Sequence, residues 1–69
     1  MVKQGDKMKD LAKYRTKLKL DRMQLSKWLG VHYMALRRYE LGEQVMPFHI
    51  YYKYEKILKE YEIFLNKIK

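Results

Sequence analysis

The chain has 69 residues, which is enough for one domain and no more. It has no cysteine, so disulfides and thiolate metal ligands are excluded. Its net charge of +8 and its pI of about 9.8 favour a polyanionic partner, nucleic acid first and an anionic membrane surface second. The simpler alternative is a small basic protein whose charge only keeps it soluble.

The apolar residues are too dispersed for a membrane-spanning segment. No apolar run approaches the roughly 20 residues that a transmembrane helix needs. The first ten residues, MVKQGDKMKD, lack the apolar core of a signal peptide. We therefore expect a cytoplasmic protein.

A first helix is predicted from residue 6, with residues 1–5 as a loose tail. Asp6 is its expected N-cap. The apolar residues recur at the 3.6-residue spacing of one helical face: Met8, Leu11, Ala12 and Leu18. Arg15 lies on the same face, and a buried arginine needs a carboxylate partner.

The stretch DRMQLSKWLGVHYMALRRYELG, residues 21–42, predicts two short helices joined by a tight turn. Asp21 and Gln24 have the spacing of a capping box at the start of the second helix. Gly30 can adopt the positive φ of the turn, and Gly42 ends a third helix over residues 32–41. The residues expected to face inward are Leu25, Leu29, Val31, Leu36 and Tyr39. Trp28 is interpreted as a half-exposed packing residue, with ligand binding as the alternative.

A long fourth helix is predicted after Pro47, a residue that suits the first turn of a helix. Its apolar residues alternate at spacings of four and three: Ile50, Tyr54, Ile57, Tyr61, Phe64 and Ile68. A helix over residues 48–68 would be about 31 Å long, longer than the first three helices can cover. We expect the exposed stripe to be covered by a second copy, in a homodimer. The predicted dimerisation residues are Tyr61, Phe64, Leu65 and Ile68. The alternative is a bend near Lys59–Glu60 that folds the chain back onto its own core.

The run from Leu11 to Pro47 resembles the phage-repressor family (Cro-like, xenobiotic-response-element type) of helix-turn-helix proteins. L-S-K-W-L-G-V at 25–31 matches the family's leucine, small residue, two variable residues, apolar residue, glycine and apolar residue. Y-E-L-G at 39–42 resembles the end of the family's recognition helix. The chain departs from the family at Arg22, where glutamine is frequent, and at His32, where serine or threonine is usual. It also departs after Gly42, where a basic loop is common.

The resemblance implies an all-α, compact, four- to five-helix lambda-repressor-like domain over residues 1–69. Residues 6–47 would be its core helices and residues 48–69 its C-terminal helix. In the family, an arginine of the first helix and the glutamate of the recognition helix commonly form a buried ion pair. By resemblance, these are Arg15 and Glu40, which would also give Arg15 its carboxylate partner.

Major-groove recognition needs side chains on one face of the third helix. The predicted base contacts are Tyr33, Met34, Arg37, Arg38 and Leu41. An arginine can bind O6 and N7 of guanine, and Met34 could contact a thymine methyl or fill the core. The predicted phosphate contacts are Arg22, Gln24, Lys27, His32, Lys17 and Lys19. The plainer interpretation of each basic residue is a solvated surface charge.

These features predict a homodimeric, sequence-specific binder of double-stranded DNA, a small transcriptional regulator and most simply a repressor, associated with the nucleoid of a prokaryotic or virus-infected cell. We expect no enzymatic activity, metal, cofactor or small-molecule ligand, because the two histidines show no metal-ligand spacing and the acidic residues are scattered. One alternative is a protein interaction module, an adaptor or anti-factor, with the same fold. Another is a tail lying on a membrane surface, which Glu55, Glu60 and Glu62 disfavour.

Overall fold

The computed structural model describes residues 4–68, with side chains from residue 7 onward. Within that range it contains four helices and no strand. The helices are α1 (Gln4–Lys17), α2 (Arg22–Leu29), α3 (Tyr33–Leu41) and α4 (Phe48–Lys67). The Cα radius of gyration is 11.8 Å, close to the roughly 11 Å expected of a folded domain of this length. The predicted all-α class, the compactness and the long C-terminal helix are confirmed.

Helix α1 begins earlier than predicted. It starts at Gln4, so Asp6 lies inside the helix and its prediction as the N-cap is wrong. Gln4 and Gly5 were predicted to belong to a loose tail, and that prediction is also wrong because both lie in α1. Residues 1–3 of the predicted tail lie outside the described residues. No proline precedes Asp6, and glycine costs a helix only about 1 kcal/mol, so an acidic residue alone does not stop the helix from extending.

Three successive helices end in the same turn, with one residue in the left-handed region. Gly30 has φ 75°, the positive value predicted for it, and Gly42, which ends α3 as predicted, has φ 78°. In each case the next residue donates its N–H five residues back, Val31 to Ser26 O at 3.1 Å and Glu43 to Arg38 O at 2.9 Å. This is the Schellman pattern, which satisfies the last free carbonyls of a helix.

Lys19 forms the third of these turns, which was not predicted. Its φ is 59°, and its N–H donates to Thr16 O at 2.9 Å while that of Leu20 donates to Arg15 O at 3.2 Å. An L-residue with a Cβ pays a steric penalty in this conformation that glycine avoids. The sequence therefore carries local strain at the corner between α1 and α2.

The N-termini of α2 and α3 are closed by side chains. Asp21 accepts a hydrogen bond from Gln24 N at 2.7 Å, as its predicted capping role requires. His32 caps α3 in the same way, because its Nδ1 accepts from Met34 N at 3.1 Å. Pro47 is extended, with ψ 147°, and stands before α4 and not within its first turn. The carbonyl oxygen of Pro47 accepts hydrogen bonds from Ile50 N and Tyr51 N, and these are the first backbone hydrogen bonds of α4.

The core lies where α1 and α4 flank the α2–α3 pair. Its buried apolar residues are Met8, Leu11, Leu20, Leu25, Leu29, Leu36, Met46, Tyr54 and Leu58. The predicted inward residues Val31 and Tyr39 are half-buried at its edge. Helix α3 packs against α1 and α2. Helix α4 packs against the same two helices and covers the other side of the core.

Helix α4 is uninterrupted from Phe48 to Lys67, so the alternative of a bend near Lys59–Glu60 is wrong. Its first half is anchored by the buried Tyr54 and Leu58. Towards its end Phe64 is 55% exposed and Ile68 is 65% exposed. Within residues 4–68, no helix combines the length and apolarity that crossing a bilayer requires.

We expect the substitution Lys19→Gly to stabilise the protein by up to about 1 kcal/mol. Relief of the Cβ strain, about 1–2 kcal/mol, outweighs the extra entropy that glycine gives the unfolded chain. Urea denaturation followed by circular dichroism measures the change. Lys13→Gly, at an exposed position inside α1, is the matched control and should destabilise by about 1 kcal/mol. A loss of stability in Lys19→Gly would contradict the prediction.

Candidate nucleic-acid interface

The outer face of α3 carries four of the five predicted base-contacting side chains. At 3.6 residues per turn they occupy an arc of about 100°, and all four are exposed: Met34, Arg37, Arg38 and Leu41. The opposite side of the helix buries Leu36 and Glu40. This exposed set is called the α3 face below.

Tyr33, the fifth predicted base contact, sits at the edge of the α3 face and is half-buried. The guanidinium carbon of Arg22 lies 6.0 Å from the centroid of its ring. This is at the outer limit of a cation–π contact. Tyr33 is therefore placed beside α2 instead of pointing away with the arginines.

The carboxylate of Glu40 is the charged centre of the domain. Its side chain is only 2% exposed. Arg15 holds it with two hydrogen bonds, from Nε to Oε2 at 2.8 Å and from Nη2 to Oε1 at 3.2 Å. The ion pair expected between these two residues is thus present, in the paired geometry that suits arginine and carboxylate.

Two further groups complete the shell around Glu40, and neither was predicted. Arg22 Nε donates to Oε1 at 2.7 Å, and the hydroxyl of Tyr54 donates to Oε2. Arg15 also donates from Nη1 to Leu20 O at 2.8 Å, which ties the corner before α2 to the same cluster. No buried side-chain nitrogen or oxygen within the described residues lacks a hydrogen-bond partner.

A sequence signal for Tyr54 did exist. It occupies the apolar stripe of α4, and a buried tyrosine hydroxyl needs a hydrogen-bond partner. Burial and the hydrogen bond to Glu40 raise the pKa of Tyr54 far above its usual range. Arg22 gave no such signal, because the first residue of a helix is normally exposed.

Arg22, which was predicted to contact phosphate, already forms an ion pair within the protein. Part of its guanidinium is engaged by Glu40, and its side chain is 24% exposed. Burial lowers the pKa of Arg22, but its contacts with Glu40 and Tyr33 outweigh that effect and raise the pKa. Arg22 is a fixed cation, held in place by α3 before any ligand arrives.

The other predicted phosphate-contacting residues lie on the flanks of α2 and α3. Lys17, Lys19, Lys27 and His32 are exposed, and Gln24 is half-buried. Because His32 Nδ1 accepts the capping hydrogen bond, the ring proton is on Nε2, which remains a donor. An open cleft of about 520 Å³ between α1 and the end of α3 is bordered by Lys13, Lys17 and Arg22. Lys13 was not among the predicted contacts.

The predicted dimerisation residues are divided by the structure. Tyr61 and Leu65 are half-buried, whereas Phe64 and Ile68 are exposed. The rings of Trp28 and Tyr61 are 5.6 Å apart, and those of Tyr61 and Phe64 are 6.4 Å apart. Trp28, 41% exposed, thus packs on α4 as predicted for a packing residue.

In the part of the chain that the structure describes, no cluster of three or more His, Cys, Asp or Glu side chains could hold a metal ion. Comparison with protein-family models, with curated proteins and with solved structures gives no match to this chain. Inference about function therefore rests on the fold and on the positions of these side chains.

Glu40→Gln should destabilise the protein by about 3 kcal/mol, because it leaves two partly buried guanidinium groups without a counter-charge. Urea denaturation at neutral pH measures the loss. Glu43→Gln makes the same chemical change at an exposed position and should stay within about 0.5 kcal/mol of wild type. A cost below about 1 kcal/mol for Glu40→Gln would show that the cluster contributes little.

The raised pKa of Tyr54 predicts a loss of stability at alkaline pH. In the unfolded chain this hydroxyl loses its proton near pH 10, whereas in the folded protein it stays protonated. Its contribution is therefore complete below pH 10 and declines above it, by up to about 1.4 kcal/mol per pH unit. The difference in unfolding free energy between wild type and Tyr54→Phe should shrink from pH 9.5 to pH 11. The lysines and the other tyrosines are common to both proteins and cancel. A difference independent of pH would contradict the assignment.

Proposed function

We propose that this protein binds double-stranded DNA sequence-specifically, with α3 in the major groove, and acts as a small transcriptional repressor. The α3 face is the observation that carries the proposal. It places Arg37 and Arg38 in solvent on a helix whose opposite side is fixed by Glu40. A rigid helix with exposed arginines on one face is the arrangement that base recognition requires.

The fold we propose is the phage-repressor, lambda-repressor-like helix-turn-helix. Three features support it: the α2–α3 pair joined at Gly30, the Arg15–Glu40 ion pair, and Asp21 as the cap of α2. In such a fold the second helix of the pair is the recognition helix, so α3 would read the base edges.

In this proposal, the bases are read by two chemically distinct groups. Arg37 and Arg38 bind guanine O6 and N7, and Met34 contacts a thymine methyl. Leu41 adds apolar contact at the end of α3, and Tyr33 donates to a base or phosphate at its start. Each half-site would therefore combine guanine with A·T pairs.

Phosphate contacts would hold the recognition helix in register. Their donors are Lys17, Lys19, Arg22, Gln24, Lys27 and His32, to which the cleft geometry adds Lys13. Arg22 would act as the fixed cation among them, since Glu40 and Tyr33 already hold its position. The net charge of +8 supports this electrostatic contribution.

We further propose that the protein works as a homodimer in the cytoplasm, at the nucleoid of a prokaryotic or virus-infected cell. The exposed Phe64 and Ile68 at the end of α4 favour association. Two recognition helices about 34 Å apart would read half-sites one turn of DNA apart.

A protein interaction module is the second candidate, favoured by one feature of the α3 face. Met34 is 40% exposed and Leu41 is 54% exposed, so the face has an apolar centre between its arginines. Such a face could bind another protein, with the arginines at the rim of the interface. Binding of that kind would survive loss of the arginines and would vary little with salt.

Selection from random duplex DNA at about 150 mM salt tests the leading proposal, and an inverted repeat with half-sites about 10 base pairs apart is the expected result. On the selected site, Arg37→Ala and Arg38→Ala should together weaken binding by at least about 1–3 kcal/mol, and at least one should relax specificity at one base pair. Fluorescence anisotropy with labelled duplexes measures both effects. Lys59→Ala, on the outer side of α4, removes the same charge away from α3 and should leave binding nearly unchanged.

Two results would count against DNA reading by α3. One is the absence of any enriched motif, which would leave only non-specific binding. The other is a motif whose affinity does not respond to either arginine variant. Binding to the selected site should also weaken with salt, by about 0.9 in log–log slope per phosphate contacted; a flat salt dependence would favour the interaction module.

A further inference from the structure

A mostly apolar groove lies between α2 and α4, away from the α3 face. The groove has a volume of about 600 Å³ and is lined by Trp28, Lys53, Ile57, Glu60, Tyr61 and Phe64. We refer to it as the α2–α4 groove. No residue of α3 lines it, so DNA bound to the α3 face would leave it open.

The groove side of α4 has the pattern of a helix-pairing surface. Ile57, Tyr61, Phe64 and Ile68 are spaced by four, three and four residues, which puts them on one face of the helix. Ile57 and Tyr61 pack against the core with one side, whereas Phe64 and Ile68 are exposed. An apolar stripe with these intervals is the seam along which two helices pack.

Opposite charges flank this stripe on one side. Lys53 and Glu60 lie seven residues apart, so they occupy the same flank two turns from each other. Both are exposed. Lys53 Nζ donates to Leu29 O at 3.4 Å, which holds the ammonium at the rim of the groove with two further protons to donate. The carboxylate of Glu60 forms no hydrogen bond or ion pair within the described residues.

We propose that the occupant of the α2–α4 groove is the same groove of a second copy, with the two α4 helices antiparallel. A twofold axis beside Ile57 then brings Lys53 of each copy against Glu60 of the other, so the charge complementarity is satisfied twice. A parallel arrangement would instead set this flank against the opposite flank of the partner's α4, where the buried Tyr54 and Leu58 offer no charge. The inference rests on the proposed homodimer and not on DNA binding, and it moves the centre of the interface from the tip of α4 to Ile57.

A neighbouring register would pair Glu60 with Lys67. Its axis would lie near residues 63–64, beyond the centre of the groove, and would leave Ile57 and Trp28 uncovered. The register through Lys53 and Glu60 is centred between the residues that line the groove. Glu60 pairs with Lys53 in one register and with Lys67 in the other, so charge-reversal variants distinguish the two registers.

The test is sedimentation equilibrium of the full chain at micromolar concentrations, with Lys53→Glu, Glu60→Lys and the double reversal. Wild type is expected to dimerise, and each single reversal to raise the dimer dissociation constant by at least about tenfold, since it creates two like-charge contacts. The double reversal should return to within about threefold of wild type. An equimolar mixture of the two single variants should form a heterodimer, because each then offers the other the opposite charge.

Matched controls carry the same charge changes elsewhere. Lys59→Glu on the outer side of α4 and Glu43→Lys in the loop before it should leave the dissociation constant within about threefold of wild type. Thermal melts of each variant separate a loss of pairing from a loss of folding. The fluorescence of Trp28, the only tryptophan, should shift to shorter wavelength as wild type dimerises.

Three outcomes would overturn the inference. Wild type could remain monomeric throughout, which would leave the groove for a different protein. Glu60→Lys could be rescued by Lys67→Glu and not by Lys53→Glu, which would establish the other register. The single variants could associate as tightly as wild type. In each case a monomer or differently paired dimer that still selects a DNA motif would leave the proposed function of α3 intact.

Discussion

The buried carboxylate of Glu40 is the interaction on which the rest of the domain depends. Each helix contributes one member of its cluster: Arg15 from α1, Arg22 from α2, Glu40 from α3 and Tyr54 from α4. A buried charge is costly unless its partners are all in place, so the alternative packings that would separate these groups are disfavoured. The apolar core permits many ways of stacking four helices. The cluster selects one of them.

The orientation of α3 follows from this constraint. A helix of nine residues is unstable on its own, so its form depends on the neighbours that it packs against. Leu36 and Glu40 face those neighbours, which turns Arg37 and Arg38 towards solvent. The turns at Gly30 and Gly42 fix both ends of the segment. The exposed arginines are therefore presented by a framework that is complete without a ligand.

Features set by short-range chemistry could be predicted from the sequence, and features set by tertiary contacts mostly could not. Asp21, Gly30 and Gly42 were predictable because a cap or a left-handed turn depends on one residue and its neighbours. The exceptions have physical causes: Asp6 did not stop the extension of α1, and Lys19 adopts a conformation that its own side chain disfavours. The convergence of Arg22 and Tyr54 on Glu40 depends on how the helices pack, which periodicity does not encode. For the α3 face, periodicity identified the exposed side chains, but only the packing showed that Tyr33 turns towards α2.

Helix α2 connects the two surfaces to which the proposals assign binding. Its N-terminal residue, Arg22, contacts Glu40 of α3, and its buried Leu25 and Leu29 belong to the common core. Near its C-terminus Trp28 packs on Tyr61, and Leu29 O accepts from Lys53 at the rim of the α2–α4 groove. A partner bound in the groove would therefore contact α2, the same short helix that holds α3 in place. Because interiors are close-packed and transmit displacement, the pairing of two copies would set the separation and tilt of their two α3 helices. In a dimer, that separation decides which spacing of half-sites can be read, so residues that never approach DNA would contribute to its specificity.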